Sequence, residues 1–108
     1  MNDILPFLKS MISVAGLSGY ETPIADLIEK QWTPLADSVS RSRLGSVHAL
    51  KTGSVSDGSS RPAVLISAHM DAIGLMVSRI ADGFLHVTNI GGLDPRLLPG
   101  TPITVHAS

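Results

Sequence analysis

The chain has 108 residues, a formal net charge of -1 and 44% hydrophobic residues, of which four are aromatic. That supplies the core of at most one ordinary domain, and it offers neither the basic stripe nor the stacking platform of a nucleic-acid partner. There is no cysteine, which excludes disulfides and thiolate zinc sites, leaves His, Asp and Glu as metal ligands, and fits a cytoplasmic protein.

Met1 to Val14 lacks the basic region, apolar core and cleavage site of a signal peptide, and no apolar run reaches the roughly 18 residues that cross a bilayer, so no membrane partner is expected. Asn2 or Asp3 can cap a first helix with Pro6 in its first turn. Ile4, Phe7, Leu8, Met11 and Ile12 recur at the spacing of one buried face. Gly16 closes that helix, and GLSGY (16–20) supplies a turn. Thr22 then reads as an N-cap with Pro23 at the first helical position. The second helix turns Ile24, Leu27, Ile28 and Trp32 inward and stops near Pro34.

From Asp37 to Lys51 the pattern becomes a short alternation, which predicts two modest strands around Gly45, the first at an edge. Thr52 to Arg61 has little that can pack and is expected as a mobile surface loop. Pro62 to Gly74 is the centre of the sequence: Val64, Leu65 and Ile66 have no polar neighbour, which predicts a strand buried on both faces. Beyond it, Ala81-Asp82-Gly83 signals a hairpin between Ile73–Ile80 and Phe84–Thr88. Pro102 to His106 predicts one more strand. An unfinished meander leaves open edges, so a fragment, or half of a composite, is expected.

The apolar run ends in His69, Met70 and Asp71. A strand's period of two puts His69 and Asp71 on one side, at the carboxyl end where open α/β sheets place ligand sites. The pair suits a metal-ligating imidazole with a carboxylate that fixes its other nitrogen; the same spacing also suits a capped strand end. His48, His86 and His106 read as surface or satisfied core residues. Glu21 and Asp26 are explained by the helix start. Gly91-Gly92 lacks the Lys-Ser or Lys-Thr of a phosphate loop, and Ser13, Ser18 and Ser67 lack the surroundings of a nucleophile elbow.

Taken together, GLSGYE (16–21), Leu44-Gly45, AHMDAIG (68–74), Phe84-Leu85, IGGLDPR (90–96) and LPG (98–100) resemble the N-terminal part of the glutamyl or deblocking aminopeptidase family. These are co-catalytic metallopeptidases that build tetrahedral particles, some of them labelled endoglucanases. The resemblance implies an α/β fold: residues 1–71 open a peptidase domain, and residues 72–108 open an inserted β-rich dimerisation domain through which the protein forms a homo-oligomer. It makes His69 a metal ligand and Asp71 the catalytic carboxylate supporting that site. It implies two divalent ions, zinc or cobalt, and peptide substrates cut at their N-terminal residue. Arg43, Ser46 and Ala72 depart from the family pattern, which commonly has an acidic residue, an asparagine and a glutamate there. Further ligands and the general base lie later in family members, so this chain alone is expected to be inactive. The alternative is a non-catalytic assembly or interaction module that pairs its open strands with another chain.

Overall fold

The computed structural model describes residues 3–54 and 62–107. Helix α1 spans Leu5–Ser13 and α2 spans Thr22–Trp32; strands β1 (Ser38–Arg41), β2 (Val47–Leu50), β3 (Gly74–Ala81) and β4 (Phe84–Ile90) follow, then a 3-10 turn at Pro95–Leu97. The mixture of helix and strand agrees with the expected α/β class. Most of the predicted loop Thr52 to Arg61 lies outside the described residues.

The N-cap of α1 is Ile4, one residue after the expected Asn2 or Asp3, and it has no side-chain cap; Asp3, just outside it, accepts from the Leu5 N–H through Oδ1 at 3.0 Å. The apolar face of α1 is not buried: Ile4, Leu8 and Ile12 are exposed, and only Phe7 and Met11 are partly covered. Periodicity identifies a face but cannot supply the layer that covers it. Helix α2 has both. Ile24, Ala25 and Ile28 form the buried core, with Leu27 and Trp32 half-buried, as the spacing predicts. Its N-cap is Glu21, one residue before the expected Thr22, so Thr22 and Pro23 occupy the first two helical positions. Proline costs nothing there because the first helical N–H groups have no intrahelical acceptor.

Strands β1 and β2 form an antiparallel hairpin, with Ser38 opposite Leu50 and Arg41 opposite Val47. Its turn depends on Gly45, whose φ of 92° is left-handed and unfavourable for residues with a Cβ. The hairpin packs on α2. At that seam the Arg41 guanidinium donates to Glu29 through Nε (3.1 Å) and Nη2 (2.8 Å), and to Asp26 through Nη2 (2.7 Å). Asp26 is therefore engaged by a cross-element ion pair rather than by the helix start alone.

Strands β3 and β4 make the second hairpin. Asp82 (φ 52°) and Gly83 (φ 79°) form its two-residue loop, both left-handed as a type I′ turn requires. A register shift between Val77 and Arg79 interrupts the pairing.

Two predicted strands are absent. Residues 62–71 and 101–107 carry no regular secondary structure, and Val64, Leu65 and Ile66 are 87%, 90% and 90% exposed rather than buried. A central strand exists only by pairing with neighbours, and among the described residues each hairpin pairs only within itself. One parallel bridge, Leu17 with Ala72, attaches the end of the apolar run to the turn after α1. The molecule is accordingly elongated, 69 × 32 × 26 Å with a radius of gyration of 18.8 Å. A compact domain of this length has a radius of about 13 Å.

Candidate metal-ligand site

The bridge at Ala72 joins two segments far apart in sequence, the turn after α1 and the end of the apolar run. Ala72 N–H donates to the Gly16 carbonyl at 2.7 Å, and Ser18 N–H donates to the Ala72 carbonyl at 3.4 Å. Gly16 permits the approach: a Cβ there would stand 3.1 Å from Ile24 Cγ2 and 3.8 Å from the Met70 carbonyl oxygen. The turn after α1 is thereby held between the buried face of α2 and the Met70–Ala72 backbone.

That docking brings three side chains together. Ser18 Oγ donates to Asp71 Oδ2 at 2.5 Å across 53 residues of sequence. His69 Nδ1 lies 3.1 Å from Asp71 Oδ1 and 3.0 Å from the Asp71 backbone carbonyl oxygen. Both of those oxygens accept and cannot donate, so Nδ1 carries the proton. In the neutral ring, Nε2 is then the nitrogen with a free lone pair. No described residue bonds it, and the His69 side chain is 85% exposed. The donation from Ser18, then that from His69, holds the Asp71 carboxyl below the usual carboxylate range.

A metal-ligating histidine has this arrangement, one ring nitrogen tied to a carboxylate and the other without a described partner on an exposed side chain. The expected pairing of His69 with Asp71 is thus present, although the strand meant to deliver it is not. His48, His86 and His106 are exposed, and no cluster of three or more His, Cys, Asp or Glu residues occurs among the described residues. The donors present fit one ligand of a metal site together with its supporting carboxylate. An open groove lined by Phe7, Met11, Ile28, Trp32, Val64 and His69, among others, runs beside the pair.

Sequence reasoning missed Ser18. In the sequence Ser18 reads only as a serine without the surroundings of a nucleophile, and its partner is set by a contact that no local pattern encodes. The available signal was its place in GLSGYE, one of the segments that carried the family resemblance.

The profile of the M42 glutamyl aminopeptidase family matches residues 45–108. A lysyl aminopeptidase of Pyrococcus furiosus is 43% identical over 93 residues, covering 84% of this chain and 25% of that protein. A glutamyl aminopeptidase of Lactococcus lactis is 30% identical over 99 residues, covering 91% of this chain and 27% of that protein. Among solved structures, an endoglucanase of Thermotoga maritima superposes with a TM-score of 0.76 at 39% identity, covering 86% of this chain and 29% of that one. A TET aminopeptidase from a marine-sediment thaumarchaeon superposes with a TM-score of 0.78 at 28% identity, covering 90% and 26%. The chain spans about a quarter of the length of the curated relatives it matches.

Proposed function

The chain belongs to the M42 glutamyl aminopeptidase family, and on that premise we propose that it contributes a ligand and a supporting carboxylate to the metal site of an aminopeptidase that removes N-terminal residues from peptides. The observation carrying this reading is the state of His69, with Nδ1 anchored on Asp71 and Nε2 presented outward. Two divalent ions, zinc or cobalt, supply Lewis-acid polarisation of the scissile carbonyl and an acidified water when bound. His69 would hold one of them through Nε2. Asp71 is the catalytic carboxylate in a supporting sense: it keeps the proton on Nδ1 and fixes the orientation of the ring. Residues 1–71 are assigned to the peptidase domain and residues 72–108 to the inserted β-rich domain, in a cytoplasmic protein.

A catalytic zinc uses about three protein ligands, and no such cluster occurs among the described residues. The 108 residues by themselves are therefore expected to be inactive, whereas the protein at its natural full length is expected to cleave aminoacyl anilides. There, His69→Ala abolishes turnover, and Asp71→Asn weakens metal binding by about ten- to a hundredfold. Chelation abolishes activity and zinc or cobalt restores it. Full activity in His69→Ala would refute the assignment.

Assembly through the β-rich part is a companion proposal. The β3–β4 hairpin pairs with no further strand among the described residues, and Ile80 and Phe84 on it are 71% and 72% exposed. Open apolar strands of this kind are pairing surfaces. Light scattering on Ile80→Lys and Phe84→Ser should show a smaller particle than the parent protein. Particles without metal affinity would instead favour the non-catalytic assembly module.

A further inference from the structure

We propose that Ser18 is a positioning residue for the metal site, acting through Asp71 on the orientation and tautomer of His69. The inference rests on His69 being a ligand, as proposed above. It adds a residue that is distant in sequence and that touches neither metal nor substrate.

The argument begins with the two ends of the Asp71 carboxylate. Oδ1 faces His69 Nδ1 at 3.1 Å, while Oδ2 receives the Ser18 hydroxyl at 2.5 Å. A carboxylate held at one oxygen can rotate about its terminal torsion, which is broad and roughly two-fold. Held at both oxygens, it cannot turn without breaking a bond. The Asp71 side chain is 40% exposed, so without Ser18 the freed Oδ2 would be hydrated, and the orientation imposed on His69 would relax with it. His69 is more exposed still, and its ring is held at Nδ1 by the Asp71 carboxylate and by the Asp71 backbone carbonyl at 3.0 Å, of which only the carboxylate depends on Ser18.

The hydroxyl arrives there because the turn is attached by its backbone. The Ala72-to-Gly16 and Ser18-to-Ala72 hydrogen bonds involve no side chain of Ser18. Replacing the hydroxyl therefore leaves the turn docked and removes only the clamp, which makes substitution a clean test.

The test is made on the protein at its natural full length, with Ser18→Thr, Ser18→Val, Ser18→Ala and His69→Ala. Zinc affinity is measured by competition with a chromogenic chelator, after thermal melts identify the folded variants. Thr and Val have nearly the same shape and differ by a hydroxyl, so their comparison holds packing constant even where alanine fails to fold. The expected result is zinc affinity about tenfold weaker in Ser18→Val than in Ser18→Thr, the low end of the loss seen when a ligand's supporting partner is removed. Ser18→Thr should stay near the parent affinity. Equal affinities for the Thr and Val variants, with His69→Ala much weaker, would overturn the role of Ser18 and leave His69 as a ligand. Unchanged affinity in His69→Ala would overturn both assignments.

Discussion

Gly16→Val tests whether the docking of the 16–20 turn, rather than the local sequence around His69, builds the site. Even a bare Cβ at Gly16 would stand 3.1 Å from Ile24 Cγ2 and 3.4 Å from Ile24 Cβ. Ile24 is 3% exposed, on the buried face of α2, so it cannot move aside freely. Forcing extra methyl groups into such a contact costs about 1–3 kcal/mol. If the turn instead withdraws, the 2.7 Å bond from Ala72 N–H to the Gly16 carbonyl is strained or lost, and a lost hydrogen bond costs about 0.5–1.5 kcal/mol. The expected destabilisation is about 1–3 kcal/mol where the contact is compressed and about 0.5–1.5 kcal/mol where the turn withdraws. Gly92→Val is the control, because a Cβ there meets nothing within 4 Å. Surface changes of that kind stay within about 0.5 kcal/mol. Urea denaturation of both variants, paired with zinc titration, is the assay. Gly16→Val should lose stability and zinc affinity together, because withdrawal also carries Ser18 away from Asp71. Equal midpoints for the two variants would refute the packing argument, and lost stability with parental zinc affinity would refute its link to the site.

Other outcomes follow from the same contacts. Gly83 and Gly91 both have φ of 79°, but only at Gly91 would a Cβ meet Ile73, with Cγ2 at 2.5 Å. Both alanine variants bear the left-handed cost of about 1–2 kcal/mol, and Gly91→Ala should lose about 1–3 kcal/mol more from overpacking; hydrogen exchange of β3 and β4 amides reads the difference. Arg41→Leu should loosen the β1–β2 hairpin from α2 by removing the donations to Glu29 and Asp26, and the loss should shrink in high salt because the pairs are partly exposed. Denaturation midpoints with and without 1 M salt, on the order of a 3 Å screening length, check this. In acid, Asp71 (held low by Ser18, then His69), Asp37 (held low by the Thr52 N–H) and Asp94 (held low by Arg96) have native values below their unfolded ones. Their stabilisation is present in full above the unfolded carboxylate value and is lost as pH falls through the lowered native values. A denaturation midpoint measured from neutral to strongly acidic pH should therefore drop only at the acid end, and Asp71→Asn should remove part of that drop.

What the sequence by itself determined is what short-range physics settles. Asp82-Gly83 makes the β3–β4 turn because both positions need positive φ, and Thr22-Pro23 starts α2 because proline lacks an N–H where none is needed. Ile24 and Ile28 are buried where their spacing put them. His69 and Asp71 meet because they are two residues apart and chemically complementary. Tertiary structure decided everything that depends on a partner. The run Val64 to Ile66 is as apolar as a central strand, yet it stands exposed because no neighbouring strand pairs with it among the described residues. The apolar face of α1 stays largely uncovered for the corresponding reason. Ser18 reaches Asp71, 53 residues away, only because the Leu17–Ala72 backbone bridge brings their segments together. Propensity and periodicity act over one or two turns of chain, whereas burial, pairing and the Ser18 clamp are properties of surfaces brought together across the fold.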